Sequence, residues 1–178
     1  FKQAKSIAWD YMKQFTAKIP HTKFNETELR VDLPNGSRIT LLGSESPDGL
    51  RGIYLDGCVI DEYANVNSKL FPEIIRPALS DRKGYCVFIG TPMGMNNNFY
   101  ELYQHAQGAE DWFNYKAKAS DTKIVDNDEL VKAKEVMGEK KYMQEFECDW
   151  IANIEGAVYG DVIAKLDDDK QLTRVPYD

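Results

Sequence analysis

Two adjacent carboxylates, Asp61 and Glu62, directly follow the largely apolar run Gly57 to Ile60. A carboxylate at the end of a buried strand can hold Mg²⁺ through its water shell, because Mg²⁺ prefers oxygen ligands and keeps most of its waters. A second carboxylate one residue later points differently and can polarise an attacking water. The pair has the chemistry of the acidic half of a nucleotide-hydrolysis site. The alternative is structural: Asp61 caps a following helix and Glu62 lies on its solvent face.

The next apolar run, "YCVFIG" at residues 85–90, is followed by Thr91. If this run and Cys58 to Ile60 are neighbouring parallel strands, their carboxyl ends share the edge of the sheet where open α/β folds bind ligands. Asp61, Glu62, Gly90 and Thr91 would then meet there. The Thr91 hydroxyl could sense a phosphate or hold a water, although a simple Gly-Thr-Pro turn also explains the sequence.

A strand, a crossover and a second strand must position these residues. The crossover is predicted to be helical over roughly Ser68 to Leu79, interrupted by Pro72 and Pro77. Continuous apolarity in both strands is typical of a parallel sheet that is covered on both faces. The sequence therefore predicts an α/β fold.

Two elements are predicted upstream of this unit. A hairpin is expected around Asn35-Gly36, a pair that supplies positive φ in tight turns, because apolar residues alternate on either side of it. A helix ending before Pro20 is expected from apolar residues at intervals of three and four, which would form its buried face. That face comprises Phe1, Ala4, Ile7, Ala8, Tyr11, Met12 and Phe15.

Downstream, the sequence predicts mainly helices. "NNNFYELYQHA" reads as an N-capped helix, and "WFNYKAKA" reads as a strand. A further helix is capped by Asp126 or Asn127, with Gly138 separating it from a last helix. The segment "EGAVYG" could begin a new strand, and the acidic run Asp167 to Asp169 is expected to be a solvated turn.

Composition limits the class of protein. With 178 residues, of which 43% are hydrophobic, the chain can build one domain with a real core. It has neither a run long enough to cross a bilayer nor the apolar region of a signal peptide, so we expect a cytosolic protein. The net charge of −7 disfavours nucleic-acid binding over the whole surface. A local basic face stays possible, since Lys and Arg outnumber Asp and Glu in the first 52 residues.

The cysteines and histidines predict no metal centre. Cys58, Cys86 and Cys148 are widely spaced, and two of them lie in apolar strand-like runs, so we expect reduced thiols rather than disulfides. The only histidines are His21 and His105, which leaves no convincing zinc set.

The two motifs together resemble a known family. "GLRGIYLDGCVIDEYANV" followed by "IIRPALSDRKGYCVFIGTPMG" is similar to the ATPase domain of the large terminase subunit, the DNA-packaging motor of tailed bacteriophages. The likeness extends from the first helix to about Ala152. It implies a P-loop NTPase core of the RecA-like, additional-strand type with a mainly parallel sheet, incomplete at its N-terminus, and a small helical lid. The implied domains are residues 1–119 for the partial core, 120–152 for the lid and 153–178 for the start of the linker and nuclease.

The resemblance also implies roles for individual residues. Cys58 to Glu62 correspond to the Walker B motif, with Asp61 serving Mg²⁺ and Glu62 as the catalytic glutamate. Thr91 corresponds to the coupling motif, which links hydrolysis to movement. Arg51 corresponds to an arginine that such motors insert into a neighbouring subunit's site, where it stabilises the transferring phosphoryl group. A salt bridge from Arg51 to Asp48 or Asp56 is the alternative.

The implied cofactors are ATP and Mg²⁺. The implied partners are double-stranded DNA, the portal protein, the small terminase subunit and further copies of the chain in a ring, in the cytoplasm of the bacterial host and without a membrane. The family's Walker A loop, G-x-x-x-x-G-K-[ST], is missing, because the sequence contains no Gly-Lys dipeptide. We therefore expect a segment of a longer protein that does not hydrolyse ATP well alone.

Two other interpretations fit part of this pattern. A helicase or another RecA-like motor also uses an Asp-Glu pair after one strand and a Thr after the next. The absence of helicase-type arginine motifs after the lid disfavours it. A non-catalytic remnant of a prophage, retained as an interaction module, would also lack the Walker A loop.

Overall fold

The computed structural model describes residues 7–45, 47–151 and residue 166. The chain divides into two compact units. The first comprises Phe1–Asp56 and Asn67–Lys83, and the second comprises Gly57–Val66 and Gly84–Asp178.

A helix and a small antiparallel sheet form the beginning of the first unit. The elements are α1 (Ala8–Thr16), β1 (Lys23–Asn25), β2 (Arg30–Asp32) and β3 (Arg38–Thr40), with β2 in the middle of the sheet. Val31 pairs with Phe24 on one side and Ile39 on the other. The predicted hairpin is thus confirmed, with Gly36 providing the positive φ of 85° that its turn requires.

Trp9, Leu29 and Val31 are the buried centre of this unit, and Met12, Leu33 and Leu41 pack against them. The Trp9 indole N–H donates to the carboxylate of Glu26 at 2.6 Å, which satisfies the polar atom of the buried ring. Only the described part of the predicted first helix, from Ala8 onward, is confirmed.

The predicted buried face of α1 is wrong except at Met12, which packs against the core cluster. Ile7, Tyr11 and Phe15 are 61%, 56% and 75% exposed, whereas Trp9 and Thr16 are buried. The apolar spacing was correct for a helix, but Trp9 turns a different face toward the sheet, because its large ring buries most area there. Phe1 and Ala4 lie outside the described residues.

The crossover is helical, as predicted. It consists of a π-helical segment, Leu70–Ile75, and α2, Arg76–Ser80. Pro77 lies in the first turn of α2, where the fixed φ of proline suits the helix. A 3₁₀ turn, Pro47–Leu50, lies in the same unit.

In the second unit, β4 (Gly57–Ile60) and β5 (Tyr85–Phe88) pair in parallel, as predicted. The expectation that both faces are covered is wrong for the described residues. Side chains alternate across the two strands, and Val59 and Val87 are 61% and 41% exposed. Ile60 on the opposite face is buried at 6% exposure.

Helices make up most of the remaining second unit. They are the 3₁₀ turn Tyr63–Asn65, α3 (Asn98–Ala106), α4 (Ala119–Thr122), α5 (Asn127–Met137) and α6 (Glu139–Glu147). The predicted N-cap of α3 is Asn97, and Asp126, one of the two predicted candidates, caps α5. Gly138, with φ of 79°, joins α5 to α6, as predicted. Among the described residues, no helix could span a membrane.

The predicted strand "WFNYKAKA" is wrong. Residues 112–118 form neither strand nor helix, and α4 begins at Ala119. Phe113 and Tyr115 are 88% and 72% exposed, so the alternating aromatic pattern here reflects no sheet with a buried face. The possible strand "EGAVYG" and the acidic run at 167–169 lie outside the described residues.

An aromatic cluster anchors α3. The indole of the buried Trp150 lies 5.4 Å from the ring of Phe99, 5.2 Å from that of Tyr100 and 5.4 Å from that of Tyr103, between ring centroids. Such contacts bury large apolar area and fix the orientation of the helix.

Candidate functional site

Asp61 and Glu62 emerge at the carboxyl end of β4. On either side of them, two backbone hydrogen bonds tie the chain to β5: the N–H of Ile89 donates to the carbonyl of Ile60 at 2.9 Å, and the N–H of Tyr63 donates to the carbonyl of Ile89 at 3.0 Å. The two carboxylates therefore lie on a two-residue turn, and backbone hydrogen bonds to Ile89 hold both of its ends.

Glu62 has a left-handed backbone, with φ of 51° and ψ of 43°. For a residue with a Cβ, this conformation costs roughly 1–2 kcal/mol relative to the right-handed one. Strained residues of this kind persist only where the surroundings hold them, and they cluster at active sites and ligand clamps. Glu62 is one of six described non-glycine residues with a positive φ, so its conformation indicates a role only together with its place beside Asp61 at the sheet edge.

Gly90 brings the end of β5 close to the acidic pair. A Cβ at position 90 would stand 3.5 Å from the Cα of Glu62 and 3.2 Å from the amide nitrogen of Tyr63. Thr91 is the next residue along the chain, and it is half-buried. Asp61, Glu62 and the Gly90-Thr91 pair thus share one sheet edge, whereas the chemical roles assigned to them remain predictions.

The two carboxylates carry uncompensated charge. Asp61 and Glu62 are exposed, and in the described part of the chain neither forms an ion pair. One oxygen of Asp61 accepts the N–H of Glu62 at 3.0 Å. The 3₁₀ turn that follows has no side-chain cap, so the alternative in which Asp61 caps a helix is wrong.

The donor set fits Mg²⁺. The described residues include no group of three or more His, Cys, Asp or Glu side chains that could hold a metal. Mg²⁺ needs no such cage, because it is usually bound through one or two carboxylates together with waters and phosphate oxygens. Asp61, exposed and without a cation partner among the described residues, can supply one such ligand.

Tyr63 fixes the backbone beside Glu62. Its ring is 3% exposed and lies between Phe88 and Phe99, with centroid distances of 4.7 and 6.0 Å. Burial raises the pKa of the Tyr63 phenol, and a hydrogen bond with Asn98 opposes that rise. Because Tyr63 is buried and directly follows Glu62, it holds the two-residue turn in place.

Asn97 orders the loop after Thr91. Its side-chain oxygen accepts the N–H groups of Phe99 and Tyr100, and its side-chain NH₂ donates to the carbonyls of Met93 and Gly94 at 3.0 and 2.8 Å. Sequence reasoning identified the helix cap but missed the loop contacts. The Gly within "GMNNN" was the available signal of a tight turn in front of the cap.

Arg51 belongs to the first unit. Its guanidinium lies 3.8 Å from the carboxylate of Glu73, and its side chain is 57% exposed. Asp56, one of the two predicted partners, is paired instead with Arg82 at 3.0 Å. The side chain of Asp48, the other, lies outside the described residues. Arg51 and Glu73 line a cleft of about 260 Å³ together with Ile74 and neighbouring residues.

Comparison with protein families gives one match over most of the chain. The family described as "Terminase large subunit, T4likevirus-type, N-terminal" matches residues 1–161. Among curated proteins, the terminase large subunit of Thermus phage G20c is 42% identical over 60 residues. That alignment covers 34% of this chain and 12% of the relative, so the matched part spans only a small share of the curated protein.

Solved structures show the same fold. A mutant of the large terminase ATPase domain of Thermus phage P74-26 superposes with a TM-score of 0.67 at 20% identity, covering 84% of this chain and 74% of that one. The large terminase of another thermophilic bacteriophage, in complex with ADP, gives a TM-score of 0.64 at 15% identity, covering 84% of this chain and 38% of that one. The similarity shows the RecA-like fold of a terminase ATPase domain.

Proposed function

The chain belongs to the N-terminal family of T4likevirus-type terminase large subunits, and we propose that it is part of an ATP-driven motor that packages double-stranded viral DNA into a capsid. The observation that carries this proposal is the strained backbone of Glu62 beside Asp61, held against the end of β5 at a sheet edge. That edge is where α/β folds bind nucleotides. The solved relative in complex with ADP supports nucleotide binding.

Asp61 and Glu62 have different roles at this edge: Asp61 holds the metal ion, and Glu62 acts on the attacking water. Asp61 directly follows β4 and would hold Mg²⁺ through water or directly, and the bound ion would neutralise charge on the phosphate oxygens. Glu62 points from a different backbone position and orients the attacking water, accepting its proton. The left-handed backbone of Glu62 sets the direction of its Cα–Cβ bond, and so the side of the turn from which its side chain extends.

Thr91 connects this chemistry to movement. It follows Gly90, where an added Cβ would stand 3.2 Å from the Tyr63 amide nitrogen and 3.5 Å from the Glu62 Cα, so a change at Glu62 during hydrolysis is transmitted to the Gly90-Thr91 backbone. The loop beyond Thr91 is tied by Asn97 to the start of α3. We infer that displacement of this loop moves α3.

Arg51 acts on the nucleotide of a neighbouring subunit in a ring. Its ion pair with Glu73 is long and largely exposed, and such pairs contribute little stability. The contact with Glu73 therefore holds the guanidinium only weakly. An arginine supplied in trans is worth factors of about 10³–10⁵ in rate in phosphoryl-transfer enzymes.

The proposed ATPase site needs a lysine-bearing phosphate loop, and this sequence contains no Gly-Lys dipeptide. Residues 1–178 alone should therefore turn over little ATP. The portal protein, the small terminase subunit and a nuclease domain complete the proposed assembly, which works in the cytoplasm of the bacterial host.

The test uses the terminase that contains this sequence. Its ATP turnover should require Mg²⁺ and should rise when linear double-stranded DNA is added, whereas single-stranded DNA should stimulate it less. Residues 1–178 alone, assayed in parallel, should show little turnover. The proposal would be contradicted if ATP turnover by the whole protein did not change when Mg²⁺ or DNA was added or removed.

A further inference from the structure

Cys58 and Cys86 face each other across the parallel pair of strands. The register of β4 and β5 makes them direct partners. Both are partly buried free cysteines, on the same face of the strands as Ile60 and Phe88. Their separation of almost thirty positions hides this pairing in the sequence.

The spacing between the two cysteines suits a covalent bond. Neighbouring strands lie about 4.7–4.9 Å apart. Disulfides join residues whose Cα atoms are about 4.4–6.8 Å apart, so in-register partners on adjacent strands fall within that range. The two thiols already contact each other through a hydrogen bond. No change of strand register is therefore needed for a bond to form.

The two thiols are chemically unequal. The hydrogen bond with Cys86 lowers the pKa of the Cys58 thiol, against the effect of burial. The same hydrogen bond, with burial, raises the pKa of the Cys86 thiol. Because the thiolate is the reactive form, Cys58 is the thiol that attacks first and Cys86 is the one that holds its proton longer.

We propose that Cys58 and Cys86 are a modification site that forms a reversible intrachain disulfide when the protein meets a low-molecular-weight disulfide such as glutathione disulfide. The bond links β4 to β5 ahead of the edge where Asp61 and Gly90 lie. The proposal concerns the thiol pair itself and stands independently of the ATPase assignment.

The reaction proceeds by two exchanges. The Cys58 thiolate attacks one sulfur of glutathione disulfide, a bond forms between Cys58 and that sulfur, and one glutathione leaves as thiolate and takes up a proton. Cys86 then loses its proton to water, attacks the Cys58 sulfur and displaces the second glutathione, which is protonated in turn. Two protein thiols are oxidised and one glutathione disulfide is reduced to two glutathiones.

The experiment counts and locates thiols in the reduced protein after exposure to glutathione disulfide and acid quenching. Of the three cysteines within residues 1–178, we expect two to stop reacting with the thiol reagent, and peptide mapping should show a Cys58–Cys86 link that dithiothreitol reverses. Cys148 is the internal control, since burial raises the pKa of its thiol and no cysteine faces it among the described residues. The Cys148→Ser variant should still form the link.

Single variants separate the two exchange steps. Cys86→Ser should stop at a mixed disulfide between Cys58 and glutathione, and Cys58→Ser should react more slowly. Circular dichroism checks that both variants fold. If either does not, peptide mapping of the unmutated protein still shows whether Cys58 and Cys86 become linked. Retention of all three thiols, preferential reaction of Cys148, or links formed only between chains would each overturn the proposal.

Discussion

Gly90 lies against the amide of Tyr63, the residue after Glu62, so closely that a Cβ at position 90 would stand 3.2 Å from the Tyr63 nitrogen. The same Cβ would be 3.2 Å from an atom of the Phe99 ring and in ordinary contact, at 3.5 Å, with the Glu62 Cα. Backbone cannot move aside as a flexible side chain can. The position of the candidate catalytic glutamate therefore depends on the absence of a side chain on the neighbouring strand.

Gly90→Ala should displace the Glu62-Tyr63 backbone and weaken the hydrogen bond from Tyr63 to Ile89. We expect a loss of about 1–3 kcal/mol in the free energy of unfolding, as for overpacking elsewhere. Urea denaturation followed by circular dichroism measures it. Gly108→Ala is the control, because a Cβ there meets nothing within 4 Å. It should change stability by less than about 0.5 kcal/mol, and equal effects at both glycines would contradict this account.

Glu62→Gly should stabilise the protein, because glycine adopts the left-handed conformation without the cost that a Cβ imposes. After allowing for the greater freedom of glycine in the unfolded chain, we expect a gain of roughly 0.5–1 kcal/mol. Lys83, with φ of 50°, offers a matched site away from the acidic pair, and Lys83→Gly should behave similarly. Guanidinium denaturation would disprove the strain argument if Glu62→Gly proved less stable than the parent.

Asn97→Ala should cost about 0.5–2 kcal/mol through loss of the α3 cap. It should also loosen the loop at Met93 and Gly94, whose carbonyls lose their donor. Amide hydrogen exchange can follow both effects. The neighbouring Asn96 is exposed, and Asn96→Ala should leave exchange unchanged. Faster exchange confined to the helix would show that the loop does not depend on Asn97.

Asp32 should make folding sensitive to acid. Its carboxylate accepts from Arg38 at 3.0 Å and from Arg30 at 3.2 Å, and these contacts, Arg38 first, lower the pKa of Asp32 below its ordinary 3.8. A lowered folded-state pKa stabilises the protein above 3.8, and this contribution is lost as the pH falls through the folded-state value. NMR titration of the carboxyl should report the lowered pKa.

The matched variants for this effect are Asp32→Asn and Asp111→Asn. Asp111 is exposed and has no ion pair among the described residues. Stability measured from about pH 6 down to about pH 2 should fall less steeply for Asp32→Asn than for Asp111→Asn. Identical slopes would show that Arg30 and Arg38 do not stabilise the Asp32 carboxylate when the protein is in solution.

The sequence predicted the elements whose signals are local. Gly36 and the alternating residues around it indicated the hairpin, and Asn97 and Asp126 indicated helix starts, because turn and cap chemistry depends on a few neighbouring residues. The parallel pairing of β4 and β5 was also predictable from their apolarity and the helical crossover between them.

Features set by tertiary contacts were not predictable in the same way. Trp9 lies on the buried side of α1, and Ile7, Tyr11 and Phe15 do not, because of the way the helix packs against the sheet. Glutamate has no intrinsic preference for a left-handed backbone, so nothing in the sequence indicated the conformation of Glu62. Arg51 meets Glu73, which is distant in sequence, rather than the nearby Asp56.

The central claim is that Glu62 is the catalytic carboxylate, and the most direct measurement is ATP turnover by Glu62→Gln in the terminase that contains this sequence. Turnover should fall by about 10²–10⁴-fold, since the water loses its base, while binding of a fluorescent ATP analogue stays close to that of the parent. Glu110→Gln, which removes another exposed carboxylate, should retain full turnover. Turnover by Glu62→Gln equal to that of Glu110→Gln would contradict the account.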